Sequence, residues 1–232
     1  FTQQRALVII DKKMGFIDLE GKFIINPQFD DAASFSEGLA AVKTNNKWGF
    51  IDLEGNYAIN PQFDFAFPFC EGLTLVIIEK KAGYADKNGK LVIAPQFENA
   101  TVFKEGLAAV KIGNKWGYIN TTGNIVINPQ FIQCGLFNSG LAPVMIGSDK
   151  TCVGFIDTKG KIIINPIYEY YKPHFIFEEI NIDTLNLLTS TILLKLNYHN
   201  FNGMIPVLKN GKFGFIDKTG SFIIKPIFTN FN

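Results

Sequence analysis

Two histidines, His174 and His199, share a short stretch of this chain with Glu178 and Glu179. A histidine beside a carboxylate is the pairing used for proton transfer or for holding a metal ion. A second set of carboxylates recurs along the chain: Asp18, Asp52, Asp86, Asp157 and Asp217, with Asn120 in the same place, each stand three residues before a glycine. Such groups could ligate calcium, but calcium takes six to eight oxygens and each copy offers one carboxylate. An Asp or Asn opening a type I turn, with the glycine in the left-handed conformation of a bulge, accounts for the spacing without an ion. Glu37, Glu71 and Glu105 form a third set, each preceding a Gly-Leu, with Ser139 at the next such place. If these converged in one pocket they would suit a hydrolase.

The cysteines, Cys70, Cys134 and Cys152, lack a C-x-x-C spacing and have no neighbouring histidine. They read as small buried apolar groups, neither disulfide framework nor zinc site. No G-x-S-x-G, phosphate-binding glycine loop or H-E-x-x-H occurs, so the reading is a chain without catalytic residues, cofactor or metal. Net charge is +1, from 22 basic and 21 acidic residues without basic clusters, which argues against a nucleic-acid partner. No run of eighteen apolar residues is present, so insertion into a membrane is not expected. The first residue is Phe, which reads as a processed or excised chain; compartment stays open, with export or a cell-surface place among the alternatives.

Apolar residues make up 47% of the 232 and include 23 Phe, ample material for a core. Their arrangement is periodic. Glycine recurs at Gly15, Gly49, Gly83, Gly117, Gly154 and Gly214, with a second glycine six residues after each and a proline twelve after. An aromatic stands two places beyond every proline. The spacing between copies is 34, 34, 34, 37 and 60 residues, so only the connections vary. Between copies lies a second phrase, of which SFSEGLAAV at 34–42 is typical. Periods of this length mark repeat architectures, in which each unit buries its neighbour.

Each copy reads as a three-stranded antiparallel meander: a Gly-Leu-Ala-Ala-Val strand, a Trp-Gly-Phe-Ile strand, the D-x-x-G turn, and a strand closed by Asn-Pro. A short fourth segment around Pro-Gln-Phe-Asp is possible in length. Leu91 and Ile93 oppose Val92 and Ala94 in alternation, so both faces are apolar and cover is expected on both sides. The fold class is therefore all-β: six tandem units of ~34 residues in a propeller-like ring, or an open β-solenoid array. Residues 1–232 read as one repeat domain with an insertion at about 170–202, between the fifth and sixth units.

The phrase K-W-G-F-I-D-x-x-G-x-x-x-I-N-P-Q-F with F-x-E-G-L-A-x-V resembles the WG-repeat (KWG-type) proteins of bacteria, over all but about 170–202. The naming Trp stands at Trp48 and Trp116; Met14, Ala82, Val153 and Phe213 replace it elsewhere, as suits a packing residue. The resemblance implies a bacterial, interaction-mediating repeat module and brings no catalytic residue or cofactor. Function is expected where the pattern breaks, because loops vary on a rigid scaffold. The insert carries Tyr170, Tyr171, His174, Phe175, Phe177, Tyr198 and His199, the candidate binding residues, with Leu185, Leu188, Ile192 and Leu196 at helical spacing. A protein partner is expected there, with a glycan as the second possibility; a degenerate hydrolase or carbohydrate-active propeller is the alternative from another class.

Overall fold

The computed structural model describes residues 2–146, 152–169 and 204–229, and among them there is strand and turn but no helix. Two compact units are present, divided after Val102.

In the first unit, β1 (Ala6–Ile10), β2 (Lys13–Ile17) and β3 (Phe23–Phe29) form a three-stranded antiparallel sheet. Next come β4 (Asp31–Ala32), β5 (Ala40–Thr44), β6 (Lys47–Ile51) and β7 (Tyr57–Phe63), then β8 (Phe65–Ala66), β9 (Thr74–Ile78), β10 (Lys81–Ala85) and β11 (Leu91–Phe97). Each of these quartets is a four-stranded sheet in chain order, as in a propeller blade. The unit ends beyond β12 (Asn99–Ala100). The second unit contains β13 (Leu107–Ile112), β14 (Lys115–Asn120) and β15 (Ile125–Phe131), then β16 (Gln133–Cys134), β17 (Leu141–Met145), β18 (Cys152–Asp157) and β19 (Ile162–Glu169). It closes with β20 (Ile205–Lys209), β21 (Lys212–Ile216) and β22 (Phe222–Phe228). A single pairing, Glu169 with Leu208, joins these last three to the preceding sheet.

The third strand of each unit does not end at Asn-Pro, as its sequence suggests, but runs on through the proline to the aromatic. Opposite Gly49 the register jumps: Trp48 faces Phe63 and Phe50 faces Ile59, so Asn60, Pro61 and Gln62 bulge out against one residue. The bulge absorbs the missing proline N–H, and the strand is an outer one, where proline is tolerated. It also presses backbone onto Gly49, where a Cβ would lie 2.5 Å from the Ile59 carbonyl oxygen and 2.7 Å from the Pro61 nitrogen. The recurring glycine and proline are one device. The short fourth strand lies after the aromatic and pairs with the strand that follows, as Ala32 does with Val42.

Packing runs from copy to copy. One apolar cluster joins Phe16, Ile25 and Phe29 of the first copy to Ala32, Phe35, Val42 and Ile51 of the second. Phe16 and Phe35 meet with ring centroids 4.8 Å apart, and Phe50 and Phe69 repeat the contact at 4.7 Å. A fully buried Phe is worth about 1.5–3 kcal/mol, so such contacts dominate the cohesion of neighbouring sheets. The expectation that both faces are covered holds for the middle strands only. On the outer strand Ile93 is buried, whereas Leu91 and Val92 are 39% and 43% exposed. Cys134 is buried as expected, but Cys70 and Cys152 are only half-buried.

Candidate functional site

The D-x-x-G carboxylates are turn caps. Asp18 Oδ1 accepts the N–H groups of Glu20 and Lys22 at 3.1 and 2.8 Å, and Asp157 Oδ1 those of Lys159 and Lys161 at 2.9 Å each. In the last copy the Thr219 hydroxyl and the backbone of Ser221 hold the Asp217 carboxyl below its ordinary pKa. The glycine closes the turn: Gly89, at φ +78°, also packs where a Cβ would meet Ile59 Cγ2 at 2.9 Å.

The E-G turns sit at the same ends of the sheets and link one copy to the next. Glu37 and Gly38 have φ of 51° and 90°, the two left-handed residues of a type I′ turn whose outer N–H groups point away from the strands. Gly72 donates its N–H to Glu37 Oε2 at 3.1 Å. The N–H groups of Ser139 and Gly140 grip the two oxygens of Glu105 at 2.5 and 2.8 Å. Gln3 plays the same part for Gly38, at 3.0 Å. Carboxylates that could line a hydrolytic pocket are thus engaged in joining repeats, a role that the recurring E-G phrase did not disclose because the partner lies a whole repeat away.

At the opposite ends the acid after the aromatic does similar work. Lys13 Nζ lies 2.6 Å from Asp30, and Lys47 Nζ 2.6 Å from Asp64. These lysine hydrogen bonds hold both carboxyls below the usual aspartate pKa. Asp64 also receives the Glu79 N–H at 2.7 Å, and Glu169 receives that of Gly211 at 3.2 Å.

Buried hydroxyls complete the interior. Tyr84 donates to the Thr101 carbonyl at 2.7 Å and Tyr118 to that of Gly135 at 2.8 Å; burial pushes both phenols above their ordinary pKa. Where Phe50 takes the tyrosine's place, the matching carbonyl, that of Phe67, is met by Thr74 Oγ1 at 2.5 Å. Of the structural residues expected from the pattern, Trp48 and Trp116 are buried, and Gly83, Gly117, Gly154 and Gly214 show the same backbone approach as Gly15 and Gly49.

The candidate binding residues Tyr170, Tyr171, His174, Phe175, Phe177, Tyr198 and His199 lie outside the described residues. What is described is where their segment leaves and returns. It departs after Glu169 and rejoins before Ile205. Two residues before the departure stands Ile167, 54% exposed, and the equivalent residue of the last copy is Ile227, 60% exposed. The other four copies carry exposed Gln28, Gln62, Gln96 and Gln130 there.

The WG-containing-repeat family matches residues 14–48, 48–81, 83–116, 116–148, 154–173 and 213–232. The chain belongs to that family. No curated protein matches it in sequence. Among solved structures, Citrobacter koseri AztD is similar with a TM-score of 0.50 at 11% identity, covering 98% of this chain and 70% of that one. A eukaryotic initiation factor gives a TM-score of 0.51 at 10% identity, covering 96% and 62%. Kluyveromyces lactis Hsv2 gives 0.46 at 11%, and the WG-repeat chain spans 58% of its length while 69% of this chain is covered. At these identities the likeness is one of fold alone: all-β, propeller-like repeats of antiparallel meanders.

Proposed function

We propose that this WG-repeat chain is a non-catalytic scaffold that binds a protein partner through the insert at about 170–202 and the strands that flank it. The observation carrying this reading is the replacement of glutamine by exposed isoleucine in the two copies adjoining the insert, at Ile167 and Ile227. An exposed aliphatic residue where the repeat otherwise places a polar one has no use within the sheet, and apolar surface beside a variable loop suits a protein interface. Against a hydrolase stands the engagement of Glu37 and Glu105 by backbone N–H groups.

The test compares the full chain, a deletion of 176–199, and Ile167→Gln with Ile227→Gln, as baits for proteins from the source cell, after each has been shown to melt cooperatively. Loss of the same captured protein by both variants is the expected result. Capture that both variants leave unchanged overturns the reading.

A further inference from the structure

Two stretches of the sequence have the form Asn-x-Thr, the pattern that marks an asparagine as acceptor for an N-linked sugar: Asn99-Ala100-Thr101 and Asn120-Thr121-Thr122. The pattern alone does not choose between them. Asn120 opens the D-x-x-G turn of its copy, where the other five copies have Asp. Its Oδ1 accepts three bonds, from the Thr122 N–H at 3.1 Å, the Thr122 hydroxyl at 2.8 Å and the Asn124 N–H at 2.9 Å. Two of these donors are backbone N–H groups, so it is the oxygen and not the nitrogen that the turn holds. Nδ2 makes no hydrogen bond among the described residues, and Thr121 and Thr122 are exposed.

That arrangement suits a reaction at Nδ2. An amide nitrogen that bonds to the anomeric carbon of a sugar gives up a proton, and negative charge develops on Oδ1 as it does so. Three donors already aimed at Oδ1 stabilise that charge. Because the turn uses the oxygen alone, a sugar on the nitrogen leaves each of its bonds in place. Asn99 is set differently. Its Oδ1 accepts the N–H of Ala100 at 2.9 Å, and Thr101 is fully buried, with its hydroxyl donating to the Val102 carbonyl at 3.1 Å.

We propose that Asn120 is an acceptor site for an N-linked sugar on the folded chain. The donor is a sugar activated at its anomeric carbon as a diphosphate ester. Nδ2 forms the new bond to that carbon, and the bond from the carbon to the diphosphate oxygen breaks. The diphosphate leaves with the electron pair, and Nδ2 releases one proton. The last copy shows that the geometry belongs to the turn. There Asp217 Oδ1 accepts the Thr219 N–H at 2.8 Å, its hydroxyl at 2.6 Å and the Ser221 N–H at 3.0 Å, with no amide to modify. The site makes no use of the insert, so it stands or falls independently of the proposed function.

The folded full chain is given UDP-glucose with a soluble asparagine glycosyltransferase and, in a separate arm, a lipid diphosphate-linked oligosaccharide with a membrane transferase. Tryptic peptides are then weighed, and the arm that labels identifies the kind of donor. Sugar is expected on the peptide 116–150, which holds Asn120, and not on 91–104, which holds Asn99. Asn120→Asp installs the residue of the other copies, so the turn persists and the label is lost. Thr122→Ala should cut labelling at least about tenfold and Thr122→Ser less. Asp217→Asn, which completes an Asn-x-Thr in the equivalent turn, should add a second sugar. Four results would each overturn the assignment: no sugar on Asn120 in either arm, equal labelling of Asn99, labelling that survives Thr122→Ala, or no second sugar on Asp217→Asn.

Discussion

The carboxylate of Glu37 lies 3.1 Å from the backbone nitrogen of Gly72, 35 residues further along the chain, and 3.2 Å from Lys87 Nζ. One side chain thus ties the second copy to the third by a hydrogen bond and an ion pair. Both are partly solvated, so Glu37→Ala should cost about 1 kcal/mol in a urea titration, and Glu37→Gln, which keeps an acceptor, less. Glu105→Ala, which leaves two N–H groups unmet, should cost more than Glu37→Ala. Equal stability of all three variants and the parent would remove these latches from the energetics.

Gly49 and Gly72 are both invariant in type across the regular copies, yet for different reasons, and alanine separates them. At Gly49 a Cβ collides with the Ile59 and Pro61 backbone, which has no flexible end to move. Gly49→Ala should therefore destabilise by about 2–3 kcal/mol. At Gly72 nothing lies within 4 Å, but φ is +80°, so Gly72→Ala pays only for a left-handed conformation, about 1 kcal/mol. Thermal melts of the two variants give the order directly.

Those two glycines also show what was legible in advance. The Asp and the glycine of the D-x-x-G turn could be read as backbone devices because both act within one hairpin, whereas the proline, expected to end its strand, bulges inside it opposite Gly49. The Glu37 latch, the Thr74 hydroxyl and the exposure of Leu91 and Val92 could not. The first two depend on which residues a neighbouring copy brings near, and the third on the place of the strand at the end of its sheet. The insert residues expected to bind remain outside the described part of the chain, so there the sequence stands alone.

Asp64 links Lys47 to the Glu79 backbone, and its carboxyl titrates lower when folded than the ordinary value of 3.8. A lowered folded-state pKa means that its contribution is complete above the unfolded value and is lost as the pH falls through the folded one. Asp30 behaves likewise. The double variant Asp30→Asn, Asp64→Asn should therefore show a smaller fall in Tm than the parent below about pH 4, while melting lower near pH 7. Parallel curves for the two proteins would place the acid sensitivity elsewhere.

Burial pushes the Cys134 thiol up to about 12, although the Tyr118 hydrogen bond works the other way. At pH 8 only about one molecule in ten thousand would carry the thiolate that reacts with a disulfide reagent. Cys134 should be modified only as fast as the chain unfolds, so its rate in the native protein should follow denaturant. Labelling followed by peptide mapping distinguishes it from the half-buried Cys70 and Cys152.

One buried carbonyl is served in two ways, and the two can be exchanged. Tyr84 and Tyr118 reach the carbonyls of Thr101 and Gly135 with their own hydroxyls, and the residues corresponding to Thr74 in the sheets that follow are Ala108 and Ala142. At Phe50 there is no hydroxyl, and Thr74 meets the Phe67 carbonyl instead. Thr74→Ala alone strips a fully buried acceptor of that bond and should cost about 1–2 kcal/mol. Phe50→Tyr alone brings a second hydroxyl into an occupied space and should also destabilise, by about 1–3 kcal/mol. Together they recreate the arrangement of the next copies, so the double variant should be more stable than either single one, with a coupling of at least about 1 kcal/mol. Simple additivity in the urea-unfolding cycle would mean that the hydroxyls of Thr74 and of a tyrosine at position 50 do not compete for one carbonyl.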